Sequence, residues 1–293
     1  MKKLTLFCGS TNLFSIETLN QIKKYYNCIF YKNLNQKSFE KKFYKYDILL
    51  CRFQHKIPFI KNSKLKYILS PTTGTDHIDL KYFRNKNIKI FNLSNKNKFL
   101  KNIHSSSEFT IYMILRLIKI NQLKFSGFSK EINSKKICII GYGRNGKKIA
   151  KILKAFGAKI SFFDKYINNK TNLNNLIKIS DIVSINIPLN KKTENFFDHK
   201  KIKMMKKNAL LINSSRGEIV DEKYIVKNLS SIKIFYASDV PSNNVSLKGK
   251  LYTKNKNRLF FSNHIAGLSE ESVKKTDFEI IKDFNKFLKN NII

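Results

Sequence analysis

Lys136-Ile-Cys-Ile-Ile140, Gly141-Tyr-Gly143-Arg-Asn-Gly146, Lys147 to Phe156, and Ile160-Ser-Phe-Phe-Asp164 form the stretch that decides the fold. The apolar run Ile137, Ile139, Ile140 predicts a buried parallel strand. Three glycines follow at the spacing G-x-G-x-x-G, and Ile149, Ala150, Ile152, Leu153 and Phe156 then repeat with helical period. A second apolar run ends in Asp164, 23 residues after Gly141. Each part has a physical job. Gly141 permits a tight turn, Gly143 lets the backbone approach a pyrophosphate, and Gly146 lets the helix pack closely on the strand. The helix N-terminus offers unpaired N–H groups and positive dipole to phosphates. Asp164 can accept hydrogen bonds from ribose hydroxyls. The glycines alone would be a weak signal. Strand, glycines, helix, strand and acid in this order predict a dinucleotide-binding unit.

Working outward, 293 residues with 42% hydrophobic content suit two well-filled cores better than one. No apolar run reaches the roughly 18 residues of a membrane span. The opening Met1-Lys-Lys-Leu-Thr-Leu-Phe-Cys-Gly-Ser10 reads as a first strand, its apolar part being short for a signal peptide. Cys8, Cys28, Cys51 and Cys138 are scattered without metal-ligand spacing, and read as reduced core cysteines of a cytoplasmic protein. The formal net charge is +37. That raises nucleic-acid binding as a function class. Only six of the 57 basic residues are arginine, however, and the lysines run through the whole chain among abundant Asn, Ile and Phe, with no Trp. This pattern reads as nucleotide-composition bias in preference to a specific nucleic-acid patch, while positive potential still favours anionic small molecules.

Before the glycine-rich unit, the pattern predicts strands over residues 3–8, 28–31, 47–51, 65–69 and 88–92. Helices are predicted over 14–25, 39–43 and 80–85. Ser105-Ser-Ser-Glu108 reads as a capping box opening a helix with a broad apolar face, from Phe109 to Ile118. Beyond Asp164, strands are predicted over 182–187, 209–213, 232–238 and 259–262, and helices over 197–205 and 222–229. A last helix follows Ser269. This alternation is an α/β pattern with parallel sheets.

Three segments carry candidate chemistry. Ile212-Asn-Ser-Ser-Arg216-Gly217 ends a predicted strand, where open α/β sheets bind ligands, and Arg216 can present its guanidinium fork to a carboxylate. His264 follows another strand and precedes Ala266-Gly267. Gly74-Thr-Asp-His-Ile-Asp79 is either an ordinary turn with His77 capping a helix or a set of backbone N–H groups offered to an anion.

Together these segments resemble the D-isomer-specific 2-hydroxyacid dehydrogenase family over roughly residues 45 to 275. The carriers are Gly74 to Asp79, Gly141 to Gly146, Ser180 to Leu189 with Thr193, Leu211 to Gly217 with Val220-Asp221, Asp239-Val240, and His264 to Gly267. The resemblance implies two Rossmann-like parallel-sheet domains. A doubly wound NAD domain (101–267) would be inserted in a smaller flavodoxin-like substrate domain (1–100 and 268–293), as a homodimer. It further implies that Arg216 binds and polarises the substrate and that His264 is the general acid/base. NAD would be held by Gly141, Gly143, Arg144, Asn145, Gly146, Asp164, Pro188 and Ser215, with Asp239 facing the nicotinamide amide. Thr73 and Gly74 amides would take the substrate carboxylate, and Arg52 a distal anionic group. No metal is implied, and neither a specific nucleic acid nor a membrane is expected as partner. The implied reaction interconverts a small 2-keto acid and its D-2-hydroxy acid, phosphorylated acids included. One departure is Asn244, which by ungapped counting from Asp239 stands where the family carries the glutamate that orients its histidine. That departure leaves a catalytically weakened dinucleotide sensor or corepressor as the competing reading.

Overall fold

The computed structural model describes residues 3–120, 128–167, 172–242 and 257–291. The chain divides into two compact units, one of residues 1–103 with 268–293 and one of 104–267. In the first unit, β1 (Thr5–Cys8), β2 (Asn27–Phe30), β3 (Ile48–Leu50), β4 (Tyr67–Ser70) and β5 (Lys89–Asn92) form one parallel sheet of order β2-β1-β3-β4-β5. Its strands are apolar on both faces. Leu6, Cys8, Ile48, Leu50 and Leu69 build one core layer, and Phe7, Leu49, Cys51 and Ile68 build the other. Side chains alternate at period two, so a sheet covered on both sides needs continuous apolar runs. The helices are α1 (Ile16–Tyr25), α2 (Gln36–Glu40), α3 (Leu80–Asn85), α4 (Asn97–Leu100) and the chain's last, α10 (Glu270–Asn290).

The last helix joins this unit through its apolar stripe. Ile280, Ile281 and Phe284 are buried, and the Phe284 ring lies 5.0 Å from Tyr67, 5.3 Å from Phe91 and 5.9 Å from Tyr26. The Ser269 side chain caps its first turn by accepting from Ser272 N, with Glu270 and Glu271 beside the positive end of the dipole. The short helix expected over 39–43 lies earlier: Asn35 caps Gln36–Glu40, and a 3-10 turn covers Phe43–Lys45.

Asp47 ties the edge of β3 to β1 by accepting from Thr5 N at 3.0 Å and Thr5 Oγ1 at 2.7 Å. Partial burial pushes its carboxyl up, but these bonds and Lys66 outweigh it and leave the pKa below the usual carboxylate value. The stabilisation is therefore full above the unfolded-state pKa of about 3.9 and is lost as pH falls through the lower folded value. Asp47→Asn is expected to cost about 1 kcal/mol at pH 7 and progressively less below pH 4. Urea unfolding at the two pH values measures it, and an equal loss at both would remove the carboxylate's charge from the account.

In the second unit, β6 (Lys136–Ile140), β7 (Lys159–Phe163), β8 (Ile182–Ile185), β9 (Leu210–Asn213), β10 (Phe235–Ser238) and β11 (Leu259–Phe261) form a parallel sheet of order β11-β10-β9-β8-β6-β7. Around it lie α5 (Ser105–Ile118), α6 (Arg144–Ala155), α7 (Leu173–Ile179), α8 (His199–Met204) and α9 (Glu222–Ile232). Ile137, Ile139, Ile212 and Ala237 pack on one side with α5 and α6, and Cys138, Ile140, Val183 and Leu211 on the other. The strand expected from Ile232 begins at Phe235, because Lys233 closes α9 in the left-handed region at φ +50°. The helix expected from Phe197 begins at His199, capped by Asp198.

The capping box expected at Ser105 does not form. Ser105 is the first residue of α5, His104 holds the cap position without a side-chain bond, and the Ser105 hydroxyl donates to Ala266 O at 2.7 Å. The four cysteines are free, and burial pushes the Cys8 and Cys138 thiols up to about 12, so neither is a nucleophile at neutral pH. Among the described residues no helix is long and apolar enough to cross a membrane, and no cluster of His, Cys, Asp and Glu could hold a metal ion.

Candidate active site

The strand order turns at β6, which has β7 on one side and β8 on the other. Ligands of open α/β sheets bind at such a switch point, beyond the carboxyl ends of the strands. The glycine turn sits there. A Cβ at Gly146 would run into the Gly141 carbonyl oxygen, so only glycine lets α6 start this close to β6. At Gly143 an added Cβ would meet nothing within 4 Å, leaving a cradle open beside the helix N-terminus. Asp164, at the end of β7, accepts from Tyr142 N at 2.8 Å and Tyr166 N at 2.9 Å, which fixes the acid against the glycine turn.

Arg144 opens α6 with its Nη1 buried and without a hydrogen-bond partner among the described residues. Burial also lowers its pKa, and it lowers that of Lys148 through burial and then the Arg144 charge. The buried Arg144 guanidinium, a helix N-terminus and an open cradle suit a pyrophosphate, with Glu108 partly offsetting the charge of Lys148. The residues present fit a dinucleotide. Asn145 follows Arg144 in the same first turn, and Pro188 stands just beyond β8, its carbonyl accepting from Thr193 Oγ1 at 2.6 Å.

At the end of β9, Asn213 is fully buried and shapes the Arg216 loop: its side chain accepts from Ser215 N at 3.0 Å and donates to Arg216 O at 2.8 Å. Ser215 Oγ donates to Ile185 O at 3.1 Å, binding this loop to β8. Arg216 itself is extended and half-buried, with Nη1 donating to Ser215 O at 2.7 Å. His264, beyond β11, is half-buried and adopts φ +56°, a left-handed conformation that costs free energy outside glycine unless its surroundings impose it.

Asp239, at the end of β10 between these loops, imposes it. Its backbone carbonyl accepts from His264 N at 2.6 Å. Its carboxylate accepts from Ser262 Oγ at 2.7 Å, Ile265 N at 2.9 Å and Ala266 N at 2.8 Å. The side chain is fully buried, and burial raises its pKa against the pull of those bonds. Asp239, expected to face a nicotinamide, has its carboxylate bonded to the loop that carries His264.

In the first unit, the Gly74 to Asp79 segment settles into a turn whose helix cap is Asp79, accepting from Tyr82 N, and not His77. His77 Nε2 lies 3.2 Å from Ser70 Oγ, and Thr72 Oγ1 donates to Gly74 O at 2.8 Å. Thr73 is exposed, and the amides of Thr73 and Gly74 stand outside this network. Arg52, expected to take a distal anionic group, lies inside this unit. It is 4% exposed, ion-paired with the buried Asp277, and donates to Pro71 O and Thr276 Oγ1. Asp277 lies on the returning last helix, so the guanidinium is neutralised inside its own unit. Asn244 lies outside the described residues.

Sequence reasoning missed one buried network. Glu222, 1% exposed, accepts from Tyr236 OH at 2.6 Å and from Ser242 N at 2.7 Å, with burial raising its pKa. In the sequence it looks like an ordinary first-turn acid after Asp221.

A family model, the D-isomer specific 2-hydroxyacid dehydrogenase NAD binding domain, matches residues 114–266, just over half of the chain. The chain belongs to the D-isomer specific 2-hydroxyacid dehydrogenase family. Its dinucleotide is NAD. Erythronate-4-phosphate dehydrogenase of Shewanella halifaxensis is 29% identical over 194 residues, which cover 62% of this chain and 48% of the relative. The Shewanella sediminis enzyme of the same name is 30% identical over 193 residues, 62% and 47% of the two chains. This family member therefore spans about half the length of the curated relatives it matches. Among solved structures, D-lactate dehydrogenase from Aquifex aeolicus with NAD and lactic acid superposes with a TM-score of 0.80 at 22% identity, covering 98% and 96% of the two chains. NAD+-bound 3-phosphoglycerate dehydrogenase of Entamoeba histolytica gives 0.81 at 20% identity, covering 99% and 96%. These likenesses establish the two-unit dehydrogenase fold.

Proposed function

We propose that the protein is an NAD-dependent oxidoreductase that interconverts a small 2-keto acid and its D-2-hydroxy acid. The observation that carries this reading is the adjacency of β9, β10 and β11: the loop of Arg216 and the loop of His264 flank Asp239 at one sheet edge, which also carries the glycine turn. NADH, when bound, supplies the hydride. Arg216 binds the substrate's carboxylate and keto oxygens and stabilises the charge that grows on the latter. His264 gives a proton to that oxygen in reduction and takes it back in oxidation, a task suited to an imidazole, which can both donate and accept a proton. The positive net charge favours capture of anionic substrates, and a phosphorylated acid is the finer form of the proposal, as the relatives' names suggest. The protein acts as a homodimer in the cytoplasm.

A panel of 2-keto acids with NADH, followed by absorbance, tests the reading. No turnover with intact NADH binding would favour the sensor reading. NAD is expected to bind better than NADP, because Asp164 would repel a 2′-phosphate, with Lys165 beside it a partial offset. Calorimetry measures both constants; equal or tighter NADPH binding would refute the preference. By the family pattern, Asn244→Glu is expected to move the basic limb of the reduction pH profile upward, since a carboxylate that orients the histidine also stabilises its imidazolium. An unchanged profile would place the family's glutamate elsewhere.

A further inference from the structure

The start of α5 touches both functional loops of the second unit. Ser105, 7% exposed, donates to Ala266 O at 2.7 Å, two residues beyond His264. Thr110, fully buried, has its Oγ1 2.7 Å from Ser106 O and 2.8 Å from Ser214 Oγ, two residues before Arg216. A hydroxyl has one proton. Thr110 shares it between the Ser106 carbonyl, as helical threonines do, and Ser214 Oγ, which it holds as an acceptor.

We propose that Ser105 and Thr110 are positioning residues, and that α5 is a ruler that sets the loops of His264 and Arg216 relative to one another. The two loops leave β11 and β9, which are separated by β10 and so by about 9–10 Å, two strand spacings. Residues 105 and 110 are separated by about 7.5 Å along a helix and by about 140° around it. A single rigid segment thus reaches two strand ends and presents one hydroxyl to each. Packing keeps the ruler in place: Ile111, Ile114 and Leu117 share a core with Ile212 of β9 and Ala237 of β10, while Tyr112 and Arg116 lie against the Phe260 ring of β11. The hydroxyl that would cap α5 is diverted to Ala266, leaving the helix without a side-chain cap. The contact to the loop replaces the ordinary use of a serine at a helix start.

The catalytic consequence rests on the dehydrogenase reading, but the positioning does not. The test compares Thr110→Val, Thr110→Ser and Ser105→Ala in the full chain by hydrogen exchange and by turnover of a 2-keto acid with NADH. Thr110→Val is expected to speed exchange in 213–217 and not in 262–267, and Ser105→Ala the reverse. Each is expected to lower kcat roughly tenfold, as loss of one buried hydrogen bond would, with the NADH dissociation constant within about twofold of wild type. Thr110→Ser, which keeps the hydroxyl, is expected to restore both exchange and kcat. Unchanged exchange in both loops, or equal loosening of both by either variant, would overturn the ruler. If the wild-type protein reduces no 2-keto acid, the dehydrogenase reading falls. The exchange pattern then decides the ruler alone: selective loosening supports it, and equal loosening overturns it.

Discussion

Arg216→Ala is expected to lower turnover more than a hundredfold while NADH binding stays near wild type. The side chain leaves the carboxyl edge of β9, and its loop shape is set by Asn213 through backbone bonds that do not involve the guanidinium. Alanine therefore removes the fork, with its bond to Ser215 O, and keeps the two Asn213 bonds that shape the loop. A charge-assisted contact made to the developing oxyanion is worth about 3 kcal/mol or more in such a site, which converts to at least a hundredfold in rate. The cofactor loop lies beyond β6, two strands away from β9 with β8 between, so its affinity is insulated from the change. Single-turnover kinetics and fluorescence titration with NADH separate the two quantities. Wild-type kinetics in the variant would take Arg216 out of the site. Loss of NADH binding in parallel would mean that the loop, and not the charge, had been damaged.

Asp239→Asn is expected to be nearly as severe, for a different reason. The carboxylate accepts from three donors, Ser262 Oγ, Ile265 N and Ala266 N, with no exposed surface. An amide has one oxygen to accept with, and its NH2 group must then face at least one backbone N–H. One buried donor is left unsatisfied and meets a second donor head-on. Losing a buried bond to a charged acceptor costs about 2–3 kcal/mol, and the loop can escape the cost by moving. His264 then leaves its φ of +56°, which Asp239 holds from both its carboxylate and its carbonyl. The expected result is a fall in kcat of one to two orders of magnitude with a folded, NADH-binding protein. A comparison of kcat, thermal midpoint and NADH affinity checks it. Full activity in Asp239→Asn would show that the loop keeps its conformation without the charge.

The cofactor half of the site was legible because it is local. Gly141 to Gly146, the helix after them and Asp164 lie within one strand–helix–strand unit, where spacing and period dictate geometry. Arg216 and His264 were legible as residues just past strand ends. What they rest on was not. Ser105 reads as a cap in sequence, and it becomes a tether only because Ala266 returns beside it, 161 residues later. Asp239 reads as a ligand-facing acid, and it becomes the support of the His264 loop because β11 lies next to β10. Arg52 reads as an anion binder, yet Asp277, 225 residues away, occupies its guanidinium. By itself the sequence determined two parallel-sheet units, the dinucleotide turn and the two candidate catalytic side chains, since apolar period, glycine spacing and strand ends are properties of neighbouring residues. Only the tertiary structure decided which polar groups are consumed in holding those side chains, because a buried donor or acceptor takes whichever partner the strand order brings to it.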